Sequence, residues 1–251
     1  MNEMKRLLSF VRRAVDDYNM IDDGDKIAVG VSGGKDSLAL LEVLSEMRRF
    51  YPKKYEIAAV TVNMGFPNSD FSEIAEFCKR IKVEYKVVDT EIAKIIFDIR
   101  KESNPCSLCS KMRRGSLHAA AKELGCNKVA LGHHYDDAVE TFMMNLFFEG
   151  RLGCFSPVTY LSNRDITLIR PLIYAQEKDV VYFTRKRTLP ITKSLCPEDH
   201  ATERENMKNL LLELERSNKG LRHRIFTAMC RGEVDGFKKA GKYPDAGKIE
   251  D

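Results

Sequence analysis

An α/β architecture, a parallel sheet sandwiched by helices, follows from three features of the 251-residue chain. Short β-branched runs alternate with segments of helical periodicity through the first 150 residues, the pattern of a parallel sheet with crossover helices. The crossovers are expected to be right-handed. Two glycine-containing motifs, after Val31 and after Leu131, follow predicted strands. Both therefore fall at the carboxyl edge of the sheet, where ligands of such sheets bind.

The elements are read in order. Residues 4–18 place Leu7, Leu8, Val11 and Val15 on one face, predicting a leading amphipathic helix. Lys26–Val31 is a buried strand that ends in Ser32-Gly33-Gly34, a tight turn. Helix over Leu38–Phe50, strand over Glu56–Asn63, helix over Ser69–Ile81 and strand over Tyr85–Asp89 follow. Then come a helix over Met112–Leu124, a strand over Asn127–Leu131 and a helix over Asp136–Phe148. Beyond residue 150 the pattern weakens to a strand at Ile166–Ile169 and helices at Ala175–Arg187, Glu203–Glu215 and Lys219–Met229. Gly236–Asp251, with three glycines, a proline and many charges, reads as a frayed tail.

Composition excludes several classes. Hydrophobic residues make up 43% and the net charge is only +4, so the chain can bury a core and is not intrinsically disordered. No run approaches the apolar length of a membrane span. The first residues carry charges where a signal peptide needs a long apolar stretch. A cytoplasmic location and no membrane partner are expected. Two local basic clusters, Arg185-Lys186-Arg187 with Lys193, and Lys219, Arg222, Arg224 and Arg231, are solvated helix faces or a phosphate-tracking surface. Whether they line a cleft or face away decides between the two.

Ser32-Gly33-Gly34-Lys35-Asp36-Ser37 joins a strand to a helix. Two glycines let the backbone approach an anion, and free amides at the helix start point at it with the helix dipole behind them. Ser32 and Ser37 add hydroxyls, Lys35 a charge, and Asp36 a ligand for Mg²⁺. It is not a Walker A loop: position 29 is Val and Asp36 follows the lysine. It resembles the PP-loop of the ATP pyrophosphatases, which cleave ATP between the α and β phosphates and adenylate a carbonyl oxygen.

Seven cysteines, at 78, 106, 109, 126, 154, 196 and 230, are many for a reducing compartment, where metal binding or catalysis explains cysteines better than pairing does. Cys106-Ser107-Leu108-Cys109, just before a predicted helix, is a redox dithiol, half a zinc site or a cluster ligand pair. Cys196 with His200 could complete a zinc site. Three thiolates around a cubane cluster would instead leave one iron open to a small ligand. Cys78 and Cys126 read as small core residues.

Leu131-Gly132-His133-His134-Tyr135-Asp136-Asp137, with Glu140 one turn on, follows the fourth predicted strand. Asp136 or Asp137 with Glu140 offers a carboxylate pair for Mg²⁺ or general-base work, or simply caps and charges the helix. Gly132 is expected to make the turn. Adjacent histidines cannot both point at one ligand, and His133 is taken as the nucleotide contact. Asn63, at the carboxyl end of the second predicted strand, joins the nucleotide-binding candidates.

In order along the chain, SGGKDS at 32–37, PCSLCSKMRRG at 105–115, KVALGHHYDDAVET at 128–141 and IRPLIYAQEKDV at 169–180 resemble the TtcA family of tRNA 2-thiocytidine synthetases, over roughly residues 5–215. The resemblance implies a Rossmann-like fold of the PP-loop (adenine nucleotide α-hydrolase) type with extra C-terminal helices. It implies a domain over 1–196, a helical extension packed on it over 197–235 and a flexible tail over 236–251. It further implies ATP, Mg²⁺ and a [4Fe-4S] cluster as cofactors, the cluster held by Cys106, Cys109 and Cys196. Mg²⁺ would fall to Asp36, Asp136 and Asp137. The nucleotide would fall to Ser32, Gly33, Gly34, Lys35, Asp36, Ser37, Asn63, Gly132, His133 and Asp137, with Lys35, Asp36, Cys106 and Cys109 catalytic. The implied reaction adenylates the C2 carbonyl of an anticodon-loop cytidine, and sulfur then displaces AMP. Partners would be tRNA, a sulfur donor system (cysteine desulfurase or sulfide) and a second copy in a homodimer. The sequence departs from the family where a second CxxC is usual, offering only Cys196. Two other readings stand beside this one: a PP-loop sulfurtransferase or ligase acting on another tRNA position or a small molecule, and a non-catalytic sensor that binds ATP and a cluster. A splayed loop base needs a stacking partner, for which Phe66, Phe155 and Arg114 are candidates.

Overall fold

The computed structural model describes residues 2–100, 105–193, 195–197 and 203–238. Six strands form one sheet in the order β3-β2-β1-β4-β6-β5. These are β1 (Asp25–Gly30), β2 (Tyr55–Asn63), β3 (Glu84–Asp89), β4 (Lys128–Ala130), β5 (Val158–Leu161) and β6 (Ile166–Ile169). All neighbours run parallel except β5, which pairs antiparallel with β6. The chain winds outward from β1 to β2 and β3, then returns to place β4 on the other side of β1. Strand order therefore reverses between β1 and β4, and their carboxyl ends open the crevice that a doubly wound sheet offers a ligand.

Helices cover both faces because β1 and β2 are apolar on both. Ile27, Val29, Ile57 and Ala59 face one core together with α1 (Glu3–Asp17), α2 (Lys35–Met47), α5 (Tyr135–Phe148) and α6 (Glu177–Arg187). Ala28, Ala58 and Val60 face a second core under α4 (Pro105–Glu123), with Leu117, Ala120 and Ala121. The period of two in the strands accounts for this split. The first core continues into α7 (Glu203–Ser217) and α8 (Leu221–Arg231) through Met207, Leu211, Phe226 and Met229. Phe237 is fully buried, its ring 5.6 Å from that of Phe226. The chain at the start of the expected tail is thus anchored in the core; residues 239–251 lie outside the described residues.

Three departures from the sequence reading matter. The strand β5, only four residues long and partly exposed, was not anticipated. Neither was the π-helix Lys94–Arg100. The fourth helix begins at Pro105 rather than Met112, because proline at the first helical position has no amide to leave unpaired. The CxxC accordingly lies in the first turn of α4 instead of before it, with Cys106 and Cys109 three residues apart on one face. A short helix α3 (Ser72–Arg80) completes the set.

Candidate active site at the carboxyl edge of the sheet

The loop after β1 is arranged by its own small residues. Gly33 sits at φ +84°, a left-handed conformation that glycine adopts without strain. The Gly34 amide donates to Ser32 Oγ at 3.3 Å, the Ser32 amide to Ser37 Oγ at 3.2 Å, and Ser37 Oγ to the Gly34 carbonyl at 2.9 Å. No side chain caps α2 at Gly34, so its first-turn amides remain available to an anion. Lys35 Nζ lies 3.1 Å from Asp36 Oδ2 and 3.1 Å from Glu177 Oε1. Burial alone would lower the Lys35 pKa, but Asp36 and Glu177 outweigh it and hold it above the ordinary lysine value. Asp36 Oδ1 is buried with no hydrogen-bond partner.

Glu177, at the start of α6, was not singled out by sequence. It joins Lys35 to Lys208, whose Nζ lies 2.9 Å from Oε2. Burial would raise its pKa, yet Lys208 and Lys35 bring it down to about 2. The backbone amide of Glu177 donates to Asp136 Oδ2 at 2.7 Å, and Arg222 donates to Oδ1 at 2.9 Å. Both oxygens of Asp136, expected as a Mg²⁺ ligand, are therefore spent joining α5 to α6 and α8. Among the described residues no group of three or more His, Cys, Asp or Glu side chains converges on a single metal ion.

Gly132 serves a different purpose from the turn expected of it. A Cβ there would stand 3.1 Å from both the Asp36 carbonyl carbon and the Ser37 amide. The missing side chain lets the second motif lie directly against the start of α2 without displacing it. His134, not His133, then faces the phosphate loop: its Nε2 is 3.8 Å from Asp36 Oδ1. His134 also caps α5, accepting from the Asp137 amide at 3.3 Å while Asp137 Oδ2 accepts from the His134 amide at 2.8 Å. His133 turns to Phe155, ring centroids 4.9 Å apart, and its Nδ1 is buried without a partner. Burial, reinforced by Arg170, pushes its pKa down to about 4.

Asp137 and Glu140 lie 3.7 and 3.5 Å from Arg204 of α7. Burial and the neighbouring Asp137 raise Glu140 to about 7 despite that arginine. Asn63 spends its side chain locally, donating to Asp89 Oδ1 at 2.9 Å and accepting from the Gly65 amide at 3.1 Å.

The cysteines divide as their sequence contexts suggest. Cys78 and Cys126 are core residues. Cys106 is exposed, and Cys109 and Cys196 are half-buried. Burial raises the Cys109 pKa, Arg113 opposes this, and Cys196 and Cys106 raise it further. Cys106 and Cys196 thus both lie near enough to Cys109 to act on it. An iron–sulfur cubane is much wider than one ion, so its cysteines need not meet at single-ion distances. The donor set of three soft thiols beside an arginine fits such a cluster. His200, the fourth ligand of the alternative zinc site, lies outside the described residues.

The segment bearing Cys196 is attached to the phosphate loop. The Thr192 amide donates to the Gly33 carbonyl at 3.0 Å. Thr192 Oγ1 occupies a point 2.0 Å from where a Gly33 Cβ would project. Sequence reasoning missed this contact, which no local pattern announces.

The basic clusters divide. Arg187 turns inward to Glu42, while Arg185 and Arg222 line a groove of about 550 Å³ that also includes Glu177. No helix among the described residues is long and apolar enough to cross a membrane.

The model of the PP-loop domain family matches residues 5–215. A tRNA-cytidine(32) 2-sulfurtransferase from Geobacter sulfurreducens is 40% identical over 228 residues, covering 90% of this chain and 89% of that protein. One from Pseudomonas putida is 39% identical over 227 residues, covering 90% and 83%. The solved structure of the U34-tRNA thiolase NcsA from Methanococcus maripaludis with its [4Fe-4S] cluster aligns with a TM-score of 0.74 and 27% identity, covering 89% of this chain and 77% of that one.

Proposed function

The chain belongs to the PP-loop family and, within it, to the tRNA-cytidine(32) 2-sulfurtransferases, the TtcA family, and from that membership we propose that it replaces the C2 oxygen of a tRNA cytidine with sulfur at the expense of ATP. The observation that carries the reading is the Thr192–Gly33 hydrogen bond. It ties Thr192, four residues before Cys196, to the loop that would hold ATP, which supports activation and sulfur delivery sharing one crevice.

The uncapped start of α2 and the Lys35 ammonium would bind the β and γ phosphates and stabilise the charge that builds on pyrophosphate as it leaves. Glu177 holds Lys35 at the loop, and Lys208 in turn holds Glu177. The unpartnered Asp36 Oδ1 suits a Mg²⁺ on those phosphates. The cytidine O2 attacks the α-phosphorus, pyrophosphate leaves, and the C2 carbon becomes an electrophile with AMP as its leaving group. A sulfur nucleophile then adds at C2 and AMP departs, leaving the thiocarbonyl.

Cys106, Cys109 and Cys196 would hold a [4Fe-4S] cluster, which supplies a soft, accessible iron able to carry sulfur. A cysteine desulfurase or free sulfide would renew that sulfur. Phe155, one of the three stacking candidates, is already in contact with the His133 ring and with the Arg170 guanidinium, each 4.9 Å from its ring centroid. A tRNA substrate supports a cytoplasmic location.

The test is direct. Anaerobically purified protein with ATP, sulfide and tRNA should yield AMP, pyrophosphate and 2-thiocytidine by nucleoside mass spectrometry. ATP cleavage without any thionucleoside would overturn the assignment.

A further inference from the structure

One face of α6 is left uncovered. Its opposite side is buried through Val180, Phe183 and Thr184 against the core. The outward side presents Lys178, Tyr182 and Arg185, at the i, i+4, i+7 spacing that aligns residues along a helix. These three, with Gln176, Leu212 of α7 and Arg222 of α8, line the groove of about 550 Å³ between α6 and the α7–α8 pair.

The charges in this groove are not balanced. Its carboxylates are already engaged: Asp136 with Arg222, and Glu177 with Lys35 and Lys208. Lys178 and Arg185 have no carboxylate partner among the described residues. They are exposed, and about 10 Å of helix separates them. Tyr182 stands between them, 47% exposed, with Lys186 Nζ 6.0 Å from its ring centroid. Two free cations flanking an exposed ring suit a polyanion that also carries flat, stackable groups. Glu177, the residue that holds Lys35 at the phosphate loop, also lines this groove.

We propose that this groove is the track along which a single-stranded segment of tRNA enters the site, with Lys178 and Arg185 on successive backbone phosphates and Tyr182 stacked on a base. The proposal rests on the tRNA thiolation reading and adds the docking surface to it. Phosphate contacts supply affinity and register without reading sequence, so the groove contributes to tRNA binding and not to the chemical step.

The experiment measures tRNA affinity over about 50 to 200 mM salt, together with steady-state thiolation, for the full-length protein. The variants are Lys178→Gln/Arg185→Gln, Tyr182→Ala and a charge-matched control on α3, Lys79→Gln/Arg80→Gln. Melting temperatures check that each is folded. The double variant should bind tRNA about tenfold more weakly, with a salt slope smaller by about one to two. Its KM for tRNA should rise while kcat at saturating tRNA and KM for ATP hold. Tyr182→Ala should weaken binding by about tenfold with the slope unchanged. The control should behave as wild type. Unaltered affinity and slope in the double variant would overturn the proposal and leave the thiolation reading standing. So would normal tRNA binding with turnover lost only when a desulfurase replaces free sulfide, since the groove would then dock an acidic protein. A wild-type protein that binds no tRNA would instead remove the thiolation reading, and the groove proposal with it.

Discussion

The amide of Thr192 donates to the carbonyl of Gly33 at 3.0 Å, and the Thr192 hydroxyl fills the space in which any side chain at Gly33 would have to lie. Gly33 also needs its left-handed φ of +84°. Gly33→Ala should therefore lose about 1–2 kcal/mol from backbone strain alone, with a further loss from the Thr192 collision. Urea unfolding of Gly33→Ala, Thr192→Ala and the double variant measures the coupling. Adding Thr192→Ala should recover the collision part and leave the strain. Simple additivity would mean that the contact does not constrain the loop.

Gly132→Ala should act through backbone, not through a turn. Its new Cβ would press on the Asp36 carbonyl carbon and the Ser37 amide at 3.1 Å, and neither can rotate away. A cost of about 1–3 kcal/mol is expected, with weakened ATP binding because the start of α2 must move. Calorimetric titration with a non-hydrolysable ATP analogue checks this. Full affinity with full stability would contradict it.

Glu177 is held at about 2, below the ordinary glutamate value. A carboxylate lowered in the folded state adds stability that is present above the unfolded pKa and lost as pH falls through the folded one. Wild type should lose stability between about pH 4.5 and pH 2 through this group. Glu177→Gln should flatten that segment of the curve. It should also raise KM for ATP by leaving Lys35 less firmly placed.

Glu140 has the opposite sign. Its pKa is raised to about 7, first by burial and then by Asp137. The folded protein holds this proton more tightly than the unfolded chain, so stability falls as pH rises from about 4.5 to about 7. Glu140→Gln should remove that slope and be more stable than wild type at pH 8, by on the order of 1–3 kcal/mol. Denaturant midpoints across that range read it out. A steeper slope in the variant would show that Arg204 governs Glu140 after all.

What the sequence revealed and what it hid follow a physical line. The β-branched run ending at Val31, the glycines of the phosphate loop and the strand before Gly132 are local signals, and the parallel sheet and its switch point follow from them. The early start of α4 was hidden because Pro105 reads as a breaker unless it stands at the first helical position. The edge strand β5 has three half-buried residues and the exposed Tyr160, and little pattern to show. The site's long-range partners were hidden for another reason. Glu177 meets Lys35, Arg204 meets Glu140 and Thr192 meets Gly33 only because the sheet brings distant segments to one edge. The two histidines illustrate the limit of local reasoning. That only one could face the loop was legible, but which one depended on Phe155 arriving to pack against His133.

The central claim is that Cys106, Cys109 and Cys196 hold one cluster beside the phosphate loop. Iron and acid-labile sulfide in anaerobically purified protein, measured with 2-thiocytidine formation for wild type and Cys196→Ala, test it most directly. Wild type should carry about four irons per chain and thiolate tRNA. Cys196→Ala should lose both while keeping its melting temperature. Zinc in place of iron, or a Cys196→Ala variant that keeps its iron and its activity, would contradict the claim.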